Sequence, residues 1–453
     1  MTTATFHFDR LLLPQGWARE VRLTVLDGLV ADVREGEVAG TGDVRIALAI
    51  PGIPNLHSHA FQRGMAGLAE TAGPAGDSFW TWRDIMYRFV DRLTPDDLHA
   101  IAAMAYVEML EVGFTRVGEF HYLHHDRDGS RFADPAEMTI AIVRAAQETG
   151  IALTHLPVFY AQGGFGGAPA GAGQRRFVHD LDGFAALLDR VDAALLELPD
   201  ARLGVAPHSL RAVTPDQLTA VAALAGARPI HIHVAEQMRE VADCLAWSGR
   251  RPVDWLLDHC DVGPNWCLVH ATHMTPDETR ALAESGAVAG LCPVTEANLG
   301  DGLFPAPAYV AAGGRYGIGS DSNVRIDAAE DLRWLEYGQR LTTQGRNLLS
   351  TAAGGSTGGA LVRAAMAGGA QALGVAAGLA PGAAADFVSL DPEHPAMAAA
   401  QADRSLDAWV FAAGGSAIAG VWRRGARLVE KGRHRDRETV AARYVRTVAR
   451  LLD

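Results

Sequence analysis

Short apolar runs recur along the chain, several of them ending on a histidine, glutamate or aspartate, with stretches of helical spacing between them. The runs at 49–56, 115–120, 151–159, 202–207, 229–235, 266–270, 286–292 and 316–320 read as strands. Three of the helix starts share one signature, TPDD at 94, TPDQ at 214 and TPDE at 275. Thr caps such a helix and Pro suits its first position, while Gln217 and Glu278 complete a capping box in the latter two. Eight strand–helix units predict an α/β chain built as a (β/α)8 TIM-type barrel, with its chemistry at the C-terminal ends of the strands. The chain ends follow another pattern. TFHFDRLLLP and REVRLTVLDGLVADVRE, with a D-G turn at Asp27-Gly28, read as short strands, and similar material returns in ADFVSLD, DAWVFAA and IAGVWRRGARLVEKG. The expected organisation is a composite β-sandwich from 1–50 and 380–434, a barrel over 51–379 and a C-terminal amphipathic helix over 435–453.

The polar residues at the expected strand ends are His57 and His59, Glu119 to Tyr122, His208, His233, His270 and Asp321. In IPNLHSHAFQRGM (53–65) an extended backbone sends His57 and His59 to the same side. Two such imidazoles can grip one metal ion, or they can simply hydrogen-bond in a polar turn; the stretch alone leaves both readings open. HIHVAE (231–236) supplies a second same-face pair, in which His231 lies deeper and reads as a packed core residue. His121, His124 and His125 read as a polar loop, and His273 receives no role. The Gly-rich segment 163–177 lacks the G-K-[ST] ending of a phosphate-binding loop, and a flexible loop over the barrel mouth is expected there.

A formal charge of −13 and a pI near 5.7 argue against nucleic-acid or anionic-membrane partners. An anionic small molecule remains compatible, provided arginines are placed locally to receive it. Cys244, Cys260, Cys267 and Cys292 form no C-x-x-C pair and suit a reducing cytoplasm. No signal peptide or membrane span is expected. Lys431 is the only lysine.

The ordered pattern H-x-H after strand one, His after strands five and six, and Asp after strand eight resembles the amidohydrolase superfamily over nearly the whole chain. The resemblance implies that His57, His59, His233 and Asp321 bind one zinc ion per chain, with iron(II) as the alternative metal. Many members bridge two metals through a carboxylated lysine on strand four; Lys431 lies far beyond that strand, so a mononuclear centre is expected. A bound ion lowers the pKa of its water to about 7. By the same resemblance Asp321 orients the nucleophile, His270 stabilises charge on the attacked centre, and Glu236 carries a proton from water to a leaving nitrogen. The H-x-x-E spacing from His233 to Glu236 resembles the deaminases of the superfamily, which release ammonia from a C=N carbon.

A closer resemblance lies in NLHSHAFQRGMAGLAE, DSFWTWRDIMYR, GEFHYLHHD, GFGG, GQRRF and APHSLRAV, outside the shared metal core. These segments are similar to those of the N-formimino-L-glutamate deiminase family of bacterial histidine degradation. That likeness implies hydrolysis of N-formimino-L-glutamate to N-formyl-L-glutamate and ammonia by a cytoplasmic homodimer. A dicarboxylate substrate needs cationic anchors away from the metal. Arg83 and Arg211 are the candidates, aided by Gln62, Tyr122 and His208, since a guanidinium fork matches a carboxylate bidentately. The alternatives are an aminohydrolase acting on a purine, pyrimidine or pterin ring, and a non-catalytic barrel scaffold. Intact Glu236, His270 and Asp321 argue against the scaffold.

Overall fold

The computed structural model describes residues 2–73, 76–350, 352–398 and 400–453. The chain opens with β1 (Thr3–Leu13), β2 (Gly16–Leu26), β3 (Leu29–Arg34) and β4 (Val44–Pro51). The β2–β3 hairpin turns at Asp27 and Gly28, both at positive φ, as its D-G pair requires. β5 (Ile53–Ser58) then starts the barrel, so the run expected as one strand at 49–56 spans the end of one sheet and the beginning of another. Gly52 makes that change of sheet possible: a Cβ there would sit 2.1 Å from the Thr115 hydroxyl.

Around the barrel follow β6 (Phe114–His121), β7 (Ala152–Phe159), β8 (Arg202–Leu203) and β9 (Ala206–Pro207). They are succeeded by β10 (Ile230–Val234), β11 (Trp266–His270), β12 (Val288–Leu291) and β13 (Arg315–Ile318). All these pairings are parallel, and bridges from Val205 to Ile230, Ser209 to His233 and Ser58 to Asp321 close the ring. The strand expected at 202–207 is broken into β8 and β9, the fourth position of the barrel. Leu56, Cys267, Val269, Val288 and Cys292 are fully buried together in a cluster of their own.

The last strands are β14 (Phe387–Leu390), β15 (Ile418–Arg423), β16 (Ala426–Glu430) and β17 (Arg433–His434). They join the first four in one eight-stranded sheet of order β17-β16-β15-β14-β4-β1-β2-β3. The material expected as a sandwich from both chain ends is therefore one continuous sheet, which packs Phe6, Phe8, Phe387 and Trp422 into a core of its own. DAWVFAA does not join it. That segment continues the helix Asp403–Ala408 into a helical turn at Trp409–Ala413 and buries Trp409 completely. A short apolar run carries no period by which to tell helix from strand, which explains the miss.

At the end of the barrel where the strands begin, a buried ion cluster ties it to this sheet. Asp200 receives the guanidinium of Arg116 on β6 at 2.9 Å and that of Arg423 on β15 at 3.0 Å, and Arg423 also pairs with Asp386. The closing helix, Arg437–Leu452, lies against the helix Pro95–Glu111, with Arg437 on Glu111 at 2.7 Å and Arg450 on Asp97.

Candidate active site

The strand ends place three imidazoles and a carboxylate around one point. His57 Nε2 lies 3.2 Å from His59 Nε2 and 3.1 Å from His233 Nε2, and Asp321 Oδ1 is 3.3 Å from both His57 and His59. His59 Nδ1 is 2.9 Å from the Phe120 carbonyl, which can only accept. That nitrogen therefore carries the proton, and Nε2 presents a lone pair. Burial drives the His57 ring down to about 4 and the His59 ring to about 3, and pushes His233 well below its ordinary value, so all three are neutral. Burial works against charge on Asp321 as well, yet the His57 contact at 3.3 Å and the charged His270 ring beyond it hold its carboxyl below its ordinary range.

Converging neutral lone pairs and a carboxylate leave a site that a cation would satisfy. Ligands ~2.0–2.1 Å from a tetrahedral ion stand ~3.3 Å apart, which matches the separations found. The four residues fit a divalent ion.

The backbone is bent to build this point. Asp321 and His270 both sit at positive φ, 44° and 68°, as does Ala235 at 51° beside Glu236. Such conformations persist only where surrounding contacts fix them. Here the Asp321 and His57 backbones are hydrogen-bonded at 3.0 Å, the His59 N–H donates to the Asp321 carbonyl at 2.9 Å, and Gly319 packs directly against His57, where a Cβ would meet its carbonyl at 2.7 Å. Glu119 accepts from the Ala60 N–H at 2.7 Å and from the Tyr106 hydroxyl at 3.1 Å, fixing the turn after β5; burial lifts its carboxyl to about 8.

His270 Nδ1 contacts Glu296 Oε1 at 3.2 Å, which turns Nε2 toward Glu236 Oε1 at 3.8 Å and Asp321 Oδ2 at 4.0 Å. Burial opposes a charge on this ring, but Glu236, Glu296 and Asp321 raise it above its ordinary value. Burial pushes the Glu236 carboxyl up, against the pull of His270 and Arg211.

A cavity of about 600 Å³ opens over these groups, and Gln62, Arg83, Tyr122, His208 and Arg211 all line it. Arg83 stands on the helix Phe79–Val90, which follows the first barrel strand, and Arg211 follows the fourth. Each has a buried Nε–H without a hydrogen-bond partner among the described residues. Their guanidiniums lie 4.5 Å and 5.8 Å from the ring centre of Trp80. Gln62 donates to the Tyr122 hydroxyl at 2.9 Å, and its own carbonyl is buried without a partner. Glu240 links the anchors to the chemistry: its carboxylate accepts from the Ala235 and Glu236 N–H groups and stands 3.9 Å from Arg211.

Several residues of this site escaped the sequence reading. Phe79, Trp82, Met86, Tyr87, Tyr160, Phe177 and Leu299 complete the wall. Glu240, Glu296 and Asp301 stand behind it; of these, Glu240 alone had a signal, an acid four residues past Glu236 at the start of a helix. The 163–177 segment is held near both of its ends. Arg176 is fully buried on the carbonyls of His125 and Val90, Phe177 reaches the cavity, and Phe165 stacks on Trp247. His121 ends β6, and His124 and His125 lie in the loop that follows it. They are buried with His155 and His179 against the outside of the barrel, and their ring nitrogens do not converge as the first group does. His231 is a core residue, bonded to the Ala372 carbonyl at 2.8 Å, and His273 contacts the Asp301 carbonyl. All four cysteines are free. No helix among the described residues is long and apolar enough to cross a membrane.

Comparison with known proteins adds to this geometry. The model of the amidohydrolase family matches residues 48–428, and that of the formimidoylglutamate deiminase HutF N-terminal domain matches residues 3–47. A formimidoylglutamate deiminase of Pseudomonas aeruginosa is 52% identical over 98% of this chain and 99% of its own. A crystal structure of an amidohydrolase from Brucella melitensis superposes with a TM-score of 0.97 at 53% identity, covering 99% of this chain and 100% of that one. A 5-methylthioadenosine/S-adenosylhomocysteine deaminase of Natronomonas pharaonis is 28% identical over 81% of this chain and 80% of its own.

Proposed function

The chain belongs to the amidohydrolase family, among its formimidoylglutamate deiminases, and from that premise we propose how it hydrolyses N-formimino-L-glutamate to N-formyl-L-glutamate and ammonia in histidine degradation. The observation that carries the mechanism is a single cavity with Glu236, His270 and Asp321 at its base and two arginines with unpartnered N–H groups in its wall.

His57, His59, His233 and Asp321 would hold one divalent ion, zinc by its preference for borderline imidazole nitrogens completed by a carboxylate oxygen. Bound there, such an ion acidifies water to near neutrality. Arg83 and Arg211 each take a carboxylate of the glutamate portion, which leaves the formimino carbon over Glu236 and His270. Glu236, whose carboxyl burial keeps basic enough to accept a proton, takes one from the attacking water as the new C–O bond forms. It returns that proton to the formimino nitrogen. Glu236 then carries the hydroxyl proton of that tetrahedral carbon to the same nitrogen, so that the C–N bond breaks, ammonia leaves, and the carbon keeps the oxygen as a formyl group. His270, oriented by Glu296 and held cationic by the acids around it, donates from Nε2 toward the charge that develops on the attacked centre. The aromatic wall and the anchored 163–177 segment exclude bulk water. The working unit we propose is a cytoplasmic homodimer.

Ammonia release measured with N-formimino-L-glutamate against a panel of purine, pyrimidine and pterin amines tests the assignment. Turnover confined to the formimino compound is expected; preference for a ring amine overturns it.

A further inference from the structure

Asp321 turns its two oxygens in different directions. Oδ1 faces His57 and His59, whereas Oδ2 faces His270 Nε2 across 4.0 Å, too far for a hydrogen bond. The same His270 nitrogen stands 3.8 Å from Glu236 Oε1 and makes no hydrogen bond among the described residues, although the ring is almost wholly buried. Between His270 and Asp321, at the end of the intervening β12, lies the fully buried Cys292. One ligand atom from each of His270, Cys292 and Asp321 falls within 4.8 Å of the other two. Imidazole, thiol and carboxylate held around a gap of this size are the donors of a soft divalent ion.

We propose that these three residues form a second, weaker metal site, selective for thiophilic ions such as zinc and cadmium, whose occupation inhibits the enzyme. Its inhibitory part rests on the mechanism above; its existence does not. The set is wider than the first group, so its side chains must close on the ion, and it binds more weakly for that reason. Binding forms a bond from Cys292 Sγ to the metal as the S–H bond breaks, and the proton passes to solvent. His270, cationic in the reaction, also gives up a ring proton to solvent as its nitrogen takes the ion together with an Asp321 carboxylate oxygen, which removes two groups that the reaction needs. Glu236 stands close enough to supply a fourth ligand. The absence of any lysine near the fourth strand leaves no bridge that would make such a pair of ions cooperative.

The test uses the full chain loaded with one zinc per molecule and titrated with cadmium, with magnesium as the hard-ion control. The expected result is a second equivalent bound with the ultraviolet band of one cadmium–thiolate, inhibition by cadmium and excess zinc, and none by magnesium. Cys292→Ser and Cys292→Ala should keep the starting activity, lose the band and resist inhibition at least tenfold better, whereas Cys260→Ser should behave like the parent. The proposal is overturned if the parent binds no second ion, or if both Cys292 variants retain band and inhibition. A parent that shows the band but releases no ammonia from N-formimino-L-glutamate supports the site while overturning the substrate reading.

Discussion

At Glu236 the neutral isostere isolates one role. Glu236→Gln preserves shape and leaves the metal group untouched, but an amide cannot accept and return a proton. Ammonia release should fall by about 10²–10⁴-fold with metal content unchanged; near-normal turnover would remove Glu236 from the mechanism. The arginines serve binding instead. Arg83→Met and Arg211→Met each leave a substrate carboxylate unpaired in a desolvated cavity, a loss of about 2–5 kcal/mol. The kcat/KM should therefore collapse while zinc stays bound, and a formimino substrate lacking one carboxylate should suffer less from loss of the matching arginine. Full activity in both variants would sink the dicarboxylate reading. The structure brings Glu236, Arg83 and Arg211 to one cavity. Glu236 was legible beside a strand end, and Arg83 and Arg211 in the segments DSFWTWRDIMYR and APHSLRAV. The acids behind them were not: Glu296 contacts His270 from 26 positions away, and no local pattern marks that distance. Nor does sequence reveal that Asp321 and His270 take left-handed backbone conformations, since these are imposed by neighbouring strands.

Helix starts were the easiest elements to read, because capping is local chemistry. Thr94, Thr214 and Thr275 all cap as their TPD signatures predict, and Asp97 completes a box that had been expected only at the other two. Thr275 Oγ1 accepts from the Glu278 N–H at 3.2 Å while Glu278 answers to the Thr275 N–H at 2.8 Å. Thr275→Ala should lower stability by about 1 kcal/mol, read as a shifted urea midpoint, with kcat unchanged; an unshifted midpoint would show that Glu278 and Arg251 hold this turn without the hydroxyl. Strand boundaries were harder. The run 49–56 divides at Gly52, 202–207 breaks in two, and DAWVFAA is helical, each decided by which partner lies alongside rather than by the run itself.

Across the whole molecule, the Arg116–Asp200–Arg423–Asp386 cluster joins barrel and sheet at the end remote from the chemistry. Burial disfavours charge on Asp200, but Arg423 and Arg116 outweigh it and hold the carboxyl below its ordinary value. Its folded pKa is thus below the unfolded value of about 3.9, so its stabilisation is complete above that pH and is lost as pH falls through the lower value. Asp200→Asn should cost about 3–5 kcal/mol at pH 7, because it strands buried guanidiniums. That penalty should shrink in urea melts near pH 3; an equal penalty at both pH values would show that the carboxylate's charge contributes nothing. These ion pairs were invisible in the sequence, although the β material of both chain ends was expected to fold together, as it does, in one sheet rather than a sandwich. The sheet's strand order has a consequence for how the protein is made. β4 leaves the ribosome early, but its partner β14 is translated only after the entire barrel, on the order of tens of seconds later at roughly 5–20 residues per second. Through that interval the nascent chain carries an unpaired strand edge, so the last step of biogenesis is the capture of its beginning by its end.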